Sequence, residues 1–194
     1  KEATITYHRG YRMTRHITII KMVLMMLKMW SPTDSFTPTA ADGAMFSGSA
    51  VYDKENTSGF GTKEHPPIVA MYTCHGDTEQ QCIAYSTDTV NFAKYTGNPV
   101  IPNAEKIDFR DPKVIPNPIR GGWSVAITMT DRVAFFASQD LKHWEKTGEF
   151  GPEGNHSQGV WECPDLFPLT IDGEEKWILI VSMGRNHENH GART

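Results

Sequence analysis

The chain has 194 residues, enough for one domain or a large piece of one. Hydrophobic residues make up 39% and charged residues 22%, the balance of a globular chain rather than of a disordered polymer. With a formal net charge of −4 and no run of five or more basic residues, the composition argues against nucleic acid as a partner.

Residues 1–43 differ in character from the rest and are set aside as an N-terminal segment of uncertain membership in the domain. They are Met-rich and mix basic with apolar residues. The apolar run 17–29 is broken by Lys21 and Lys28, and is too short and too charged to span a bilayer. Arg12 and Arg15 precede it, but no small-x-small cleavage site follows, so it is not read as a leader. Ser31-Pro-Thr-Asp-Ser-Phe-Thr-Pro-Thr39 reads as linker or loop.

From residue 44 to 194 the pattern changes to short apolar or alternating runs between turn clusters. The runs are Met45–Tyr52, Ile68–Cys74, Gln81–Ser86, Lys94-Tyr95 with Pro99–Ile101, Lys113–Ile115, Trp123–Met129, Arg132–Ala137, Leu166–Leu169 and Lys176–Ser182. Rich in Val, Ile and aromatics and bounded by Gly, Pro, Asn and Asp, they predict β-strands, and no helix is needed after residue 45. Thr130-Asp131 and Asp172-Gly173 read as hairpin turns.

Cys74, Cys82 and Cys163 cannot all pair within the chain, and their spacing fits no zinc pattern. A Cys74–Cys82 bridge across a hairpin and three thiols both stay open. The sequons Asn56-Thr57-Ser58 and Asn155-His156-Ser157 bear only on a secreted protein.

The runs repeat. Ser86-x-Asp88 with Phe92-x-Lys94 recurs as Ser138-x-Asp140 with Trp144-x-Lys146, a shift of 52 residues, from 86 to 138 and from 92 to 144. The same shift carries Arg110-Asp111-Pro112-Lys113-Val114 onto Glu162-Cys163-Pro164-Asp165-Leu166, and Trp123 falls near Trp177. A period of roughly 50 residues with about four strands each is the mark of propeller blades. The predicted fold is therefore all-β, a partial β-propeller of about three blades.

In a propeller the innermost strand of each blade lines a central channel, so equivalent positions of neighbouring blades face one cavity. Arg110 and Glu162 are equivalent, and Asp111 is adjacent. Two carboxyls and a guanidinium on one pocket suit glycoside hydrolysis, in which one carboxyl protonates the leaving oxygen and another stabilises or attacks the anomeric carbon. Glu162 also follows Trp161, and an acid beside an indole can have its proton affinity raised by desolvation. The plainer account is a loop glutamate next to a core tryptophan.

Phe46-Ser47-Gly48-Ser49-Ala50-Val51, Phe109-Arg110-Asp111-Pro112 and Trp161-Glu162-Cys163-Pro164 stand in the order seen in the invertase, inulinase and levanase family of glycoside hydrolases, family 32. Gln80–Asp88 and Gly97–Pro102 are similar too, so the resemblance runs from about 45 to 183. It implies a five-bladed propeller followed by a C-terminal β-sandwich, which this chain is too short to include. The implied activity is hydrolysis of β-fructofuranosyl bonds in sucrose, inulin or levan, with retention. It implies Glu162 as general acid/base and Asp111 as transition-state stabiliser. Arg110 would bind fructose hydroxyls and tune Glu162; Phe46 and Ser47 would line the fructosyl pocket, and Trp161, beside the acid, is placed there as well. Neither a metal nor an organic cofactor is implied. The partner would be a fructose-containing oligo- or polysaccharide, met outside the cell or at the cell wall, with no membrane and no stated oligomeric state.

One departure is large. The family's nucleophile is the Asp of a Trp-x-Asn-Asp-Pro-Asn-Gly motif, and the 194 residues contain none; neither Asp34 nor Asp42 stands in that context. A retaining enzyme without its nucleophile loses covalent catalysis, so the chain is expected to be an inactive fragment of an active parent. Two rivals stand beside this reading: a non-catalytic sugar-binding propeller, and a related five-bladed hydrolase of arabinose polymers.

Other constellations are weaker. His187-Glu188-Asn189-His190 has its histidines three apart, where a zinc-protease helix needs four. Gly59-Phe60-Gly61 is a turn and no Gly-x-Ser-x-Gly elbow is present. Trp123, Trp144 and Trp177 are expected in the blade cores, and Lys142-His143-Trp144 as a solvated turn leading into an outer strand.

Overall fold

Runs of β-branched and aromatic residues separated by short polar turns pair first with their sequence neighbours, because hairpins close the smallest loops. In the computed structural model, which describes residues 43–105, 107–152 and 159–183, this produces antiparallel meanders. The apolar run 17–29, the tract 31–39, the sequon at 155–157 and the His-Glu-Asn-His stretch lie outside the described residues.

The first sheet has the order β1 (Ala44–Tyr52), β2 (Ile68–His75), β3 (Glu79–Ser86), β4 (Ala93–Lys94). A second repeats it with β5 (Arg110–Pro116), β6 (Trp123–Met129), β7 (Arg132–Ser138) and β8 (Glu145–Phe150). A third begins with β9 (Trp161–Ile171) and β10 (Glu174–Met183), joined at Asp172-Gly173 with both residues at positive φ, 53° and 83°. That is the backbone a two-residue hairpin turn of matching twist requires. β1 lies against β5, and β5 against β9, so the first strands of successive sheets are neighbours. This is the blade arrangement of an all-β partial propeller.

The middle strands are buried on both faces and read as continuous apolar runs. Ile83, Val125 and Ile127 are fully buried in a core that also holds Val69, Met71, Phe109 and Val114, and thus joins the first two blades. Each such side chain contributes about 1.5–3 kcal/mol of burial. Ser49 adds a polar seam: its hydroxyl donates to the Pro112 carbonyl at 2.7 Å and accepts from the Val114 amide at 2.8 Å.

The repeated Ser-x-Asp motif is a turn built twice. Asp88 accepts from the Ser86 hydroxyl and from the Val90 and Asn91 amides; Asp140 accepts from Ser138, Lys142 and His143 in the same pattern. Thr89 and Leu141 take the same left-handed conformation between them, φ 66° and 63°. The Trp123–Trp177 correspondence also holds, because Trp123 pairs with Pro116 and Trp177 with Pro168.

The loop after β1 ties the first blade to the second. Asp53 is fully buried and accepts from the amides and hydroxyls of Thr57 and Ser58. Thr57 in turn accepts from the Trp123 indole at 2.8 Å, and the Lys142 ammonium donates to the Ser58 carbonyl at 2.6 Å. Asn56 engages both backbone groups of Gly61 through its side-chain amide, so this sequon belongs to the loop's own structure.

Several expectations shift. Pro99–Ile101 makes only a single bridge, Ile101 to Gln81. β9 starts at Trp161, five residues before the apolar run that signalled it. β8 is exposed along its whole length and carries no apolar signal beyond the motif before it. Trp123 is buried and Trp144 packs on the core, whereas Trp177 is exposed on β10. Cys74 pairs with Gln80 and Cys82 with Tyr72, and all three cysteines are thiols.

Candidate active site

Each inner strand carries one extra residue close to its start. In β1 the register passes from Met45↔Cys74 to Gly48↔Tyr72, so Phe46 and Ser47 share the place opposite Thr73. In β5 it passes from Arg110↔Thr128 to Lys113↔Ala126, which leaves Asp111 and Pro112 opposite Ile127. In β9 Cys163 and Pro164 lie between Glu162↔Ser182 and Asp165↔Ile180. A bulge bends its strand and re-aims the side chains beside it. Three bulges at equivalent places bring Phe46-Ser47, Arg110-Asp111 and Glu162-Cys163 to one end of the blades.

The bulges of β5 and β9 hold Asp111 and Cys163 at φ 59° and 49°, although each precedes a proline, which favours extended backbone. Such residues cost about 1–3 kcal/mol each and persist where their surroundings hold them. Here the surroundings are visible. The Asp111 amide donates to the Thr73 hydroxyl at 3.2 Å, and the Cys163 amide donates to Asp111 Oδ2 at 2.8 Å. Gly48 permits the matching bend in β1: a Cβ there would lie 2.0 Å from the Met71 carbonyl oxygen.

Arg110 is the centre of charge. Its Nη1 lies 3.1 Å from Glu79 Oε1 and 3.5 Å from Asp108 Oδ1, and its Nη2 lies 3.4 Å from Glu162 Oε1. Burial alone would lower the guanidinium's proton affinity, but Glu79, Asp108 and Glu162 outweigh it and raise the pKa. The order is one of depth: the Glu79 side chain is 6% exposed, Arg110 17% and Glu162 44%. Lys113 and Asp165, also equivalent in the repeat, pair at 2.8 Å. Burial and then the Asp111 carboxylate push the Cys163 thiol up, so it stays protonated at neutral pH.

Of the residues singled out by sequence, Arg110, Asp111 and Glu162 come together. Phe46 is exposed and stacks on the His75 ring at 4.6 Å, and His75 Nδ1 is 3.5 Å from Glu79. Through that pair Phe46 adjoins the arginine cluster. Ser47 is exposed at the β1 bulge, opposite the Thr73 that holds Asp111. Trp161 lies apart: it is buried against Ala126 and Val133, the side of β9 away from Glu162, and its indole N–H has no hydrogen-bond partner among the described residues. On this point the plainer account, a core tryptophan, describes the packing.

Four contributors escaped the sequence: Thr73, His75, Glu79 and Gln81. Thr73 and Gln81 stand in apolar strands with less than 1% exposure, where an uncharged polar residue signals a hydrogen-bonding duty. Glu79 opens β3 directly after a polar turn, and nothing local in the sequence marks it as buried.

A site with one carboxyl against a guanidinium and a second fixed by a backbone amide can bind hydroxyls and move a proton. The chain is also similar to known proteins. The family described as "Glycosyl hydrolases family 32 N-terminal domain" matches residues 29–193. A levanase of Bacillus subtilis is 46% identical over 155 residues, 77% of this chain and 23% of the relative. Among solved structures, an exo-inulinase from Aspergillus awamori superposes with a TM-score of 0.66 at 38% identity, over 72% of this chain and 32% of that one. A fructofuranosidase from Schwanniomyces occidentalis, solved in complex with fructose, gives 0.65 at 33% identity, over 72% and 29%. The chain spans about a quarter of the levanase's length and about a third of the exo-inulinase's. A family match over most of the residues, with the Arg-Asp-Pro and Glu-Cys-Pro bulges stacked as neighbours, places this chain in glycosyl hydrolase family 32.

Proposed function

We propose that the described site is the acid/base half of a β-fructofuranosidase centre, acting with retention on sucrose, inulin or levan type linkages. Glu162 is the general acid/base, exposed enough to reach a leaving-group oxygen. Asp111 and Arg110 hold fructosyl hydroxyls, Phe46 and Ser47 line the pocket, and Trp161 backs the Glu162 strand from the core. The observation that carries this reading is the Arg110–Glu162 contact at 3.4 Å between equivalent residues of neighbouring blades. It supports the reading because general acid catalysis of glycoside cleavage needs a proton donor close to the groups that hold the sugar.

The chain by itself lacks the nucleophile motif, so by this reading it binds fructosides without turning them over. Purified 194-residue protein should release no fructose from levan, inulin or sucrose. Release at a rate abolished by Glu162→Gln would contradict the inactivity and keep the site. Action outside the cell or at the cell wall belongs to the same reading.

A chimaera tests the chemistry. Residues 44–183 replace their counterpart in the Bacillus subtilis levanase, which as a member of the same family is expected to supply the missing motif. The expected outcome is hydrolysis of levan with the fructose anomer first released retaining its configuration. A folded chimaera that binds fructosides and never cleaves them would favour the sugar-binding module instead.

A further inference from the structure

Glu79 is almost wholly buried, charged, and unused by the reaction described above. Its two oxygens face three groups. Oε2 accepts from the Phe109 amide at 2.6 Å, both oxygens accept from Arg110 Nη1 at 3.1 and 3.3 Å, and Oε1 lies 3.5 Å from His75 Nδ1. Two residues on in β3, Gln81 is fully buried and donates from Nε2 to the Phe109 carbonyl at 2.7 Å. Residues i and i+2 of a strand share a face, so β3 grips both backbone groups of Phe109, the residue just before Arg110-Asp111. Gln81 Oε1 also accepts from the Thr73 hydroxyl at 2.9 Å, and that hydroxyl holds the Asp111 amide.

We propose that Glu79 is a positioning residue of the site: a buried anion on the first blade that holds the Arg110 guanidinium of the second blade against Glu162 of the third. Without it, the guanidinium is left with Asp108 and Glu162, whose side chains are 45% and 44% exposed against 6% for Glu79. With it, one nitrogen is anchored by the buried carboxylate and the other presents a fixed N–H toward Glu162. Gln81 and Thr73 set the backbone, and Glu79 adds the charge. The catalytic consequence rests on the fructosidase reading; the tether itself does not.

Glu79→Gln separates this role from a merely structural one. A glutamine keeps an acceptor for the Phe109 amide and removes the charge facing Arg110. In the 194-residue chain, the side-chain nitrogen signals of Arg110 are followed by NMR. In the wild type the two Nη groups should give separate signals, because one is held by Glu79 and rotation about the guanidinium is hindered. In Glu79→Gln they should merge, with the amide spectrum of β6 and β7 unchanged. Separate Arg110 signals in a folded Glu79→Gln chain would overturn the proposal. Should that variant fail to fold, Asp108→Asn decides, because Asp108 is only half-buried and faces the same Nη1. Signals that stay separate in Asp108→Asn support Glu79 as the anchor; signals that merge there make Asp108 the anchor and overturn it. In the levanase chimaera Glu79→Gln should lower kcat by about 100-fold, the scale of a misplacement near 1 Å, with KM moved far less. A chimaera inactive with Glu79 intact counts against the fructosidase reading and leaves the NMR result standing.

Discussion

Asp111 and Cys163 are 52 residues apart and occupy the same place in successive blades, yet they touch: the Cys163 amide donates to Asp111 Oδ2 at 2.8 Å. Both are left-handed, both precede proline, and both sit on a bulge. The carboxylate proposed to meet the sugar therefore also holds the strand that carries Glu162, the proposed acid/base.

Substitutions at Asp111 should divide those duties. Asn tolerates the left-handed backbone and keeps an acceptor, so Asp111→Asn should cost under about 1 kcal/mol. Asp111→Ala loses both and should cost about 1–3 kcal/mol, read from urea unfolding. In the chimaera the two should be nearly equal in lost turnover, because both remove the charge.

Arg110 covers a buried anion. Arg110→Met strands the Glu79 charge and should destabilise the chain by about 3 kcal/mol or more. The double variant Arg110→Met/Glu79→Gln should be more stable than Arg110→Met alone. Unfolding curves for the singles and the double measure the coupling, and additive losses would refute it.

Gly48 sits where the backbone of β2 leaves no room for a side chain on β1. Its added Cβ would meet backbone atoms, the Met71 carbonyl oxygen at 2.0 Å and Tyr72 Cα at 2.7 Å, which have no rotamer to escape into. Gly48→Ala should cost about 3 kcal/mol, and the loss should appear first as faster hydrogen exchange along β1.

The Ser-x-Asp turns make the fold acid-sensitive. Partial burial alone would raise the Asp140 carboxyl, but hydrogen bonds from the His143 ring and the His143 and Lys142 amides hold it down, from 3.8 to about 2. Asp88 is held below the usual carboxylate range by the Asn91 and Val90 amides, the Asn91 side chain and the Ser86 hydroxyl. A carboxyl whose pKa is lower in the folded state stabilises it above the unfolded pKa, and loses that effect as pH falls through the folded one. Stability should therefore drop between about pH 4 and pH 2. Asp140→Asn should be less stable than wild type at neutral pH, with the gap closing over that window. A gap of constant size from pH 7 to pH 2 would show that the charge of Asp140 plays no part.

The repeat was legible because it has a local cause. Ser86 and Ser138 begin turns whose aspartates bond amides two and three residues on, and such a motif leaves fixed spacing in the sequence. Strands buried on both faces, such as β2 and β6, announced themselves by continuous apolar runs. β8 did not, since an outer strand with every side chain exposed has no reason to be apolar.

The site was legible only where it lies in contiguous motifs. Arg110, Asp111 and Glu162 stood out by their prolines and their common offset. Trp161 was drawn into the pocket by adjacency to Glu162, but alternation along a strand sends neighbours to opposite faces, and Trp161 went to the core. Glu79 went unnoticed because its burial is imposed by Phe109 and Arg110, about thirty residues later. The bulges left no mark, because a register shift is a property of two strands.

The most direct measurement is the turnover of levan by the levanase chimaera, with Glu162 intact and with the Glu162→Gln substitution in otherwise identical protein. If Glu162 supplies the proton at a fructosyl site built from three neighbouring blades, Glu162→Gln lowers kcat by about 10²–10⁴-fold and leaves fructoside binding in place. Equal turnover by the two proteins would remove Glu162 from the chemistry and contradict the account.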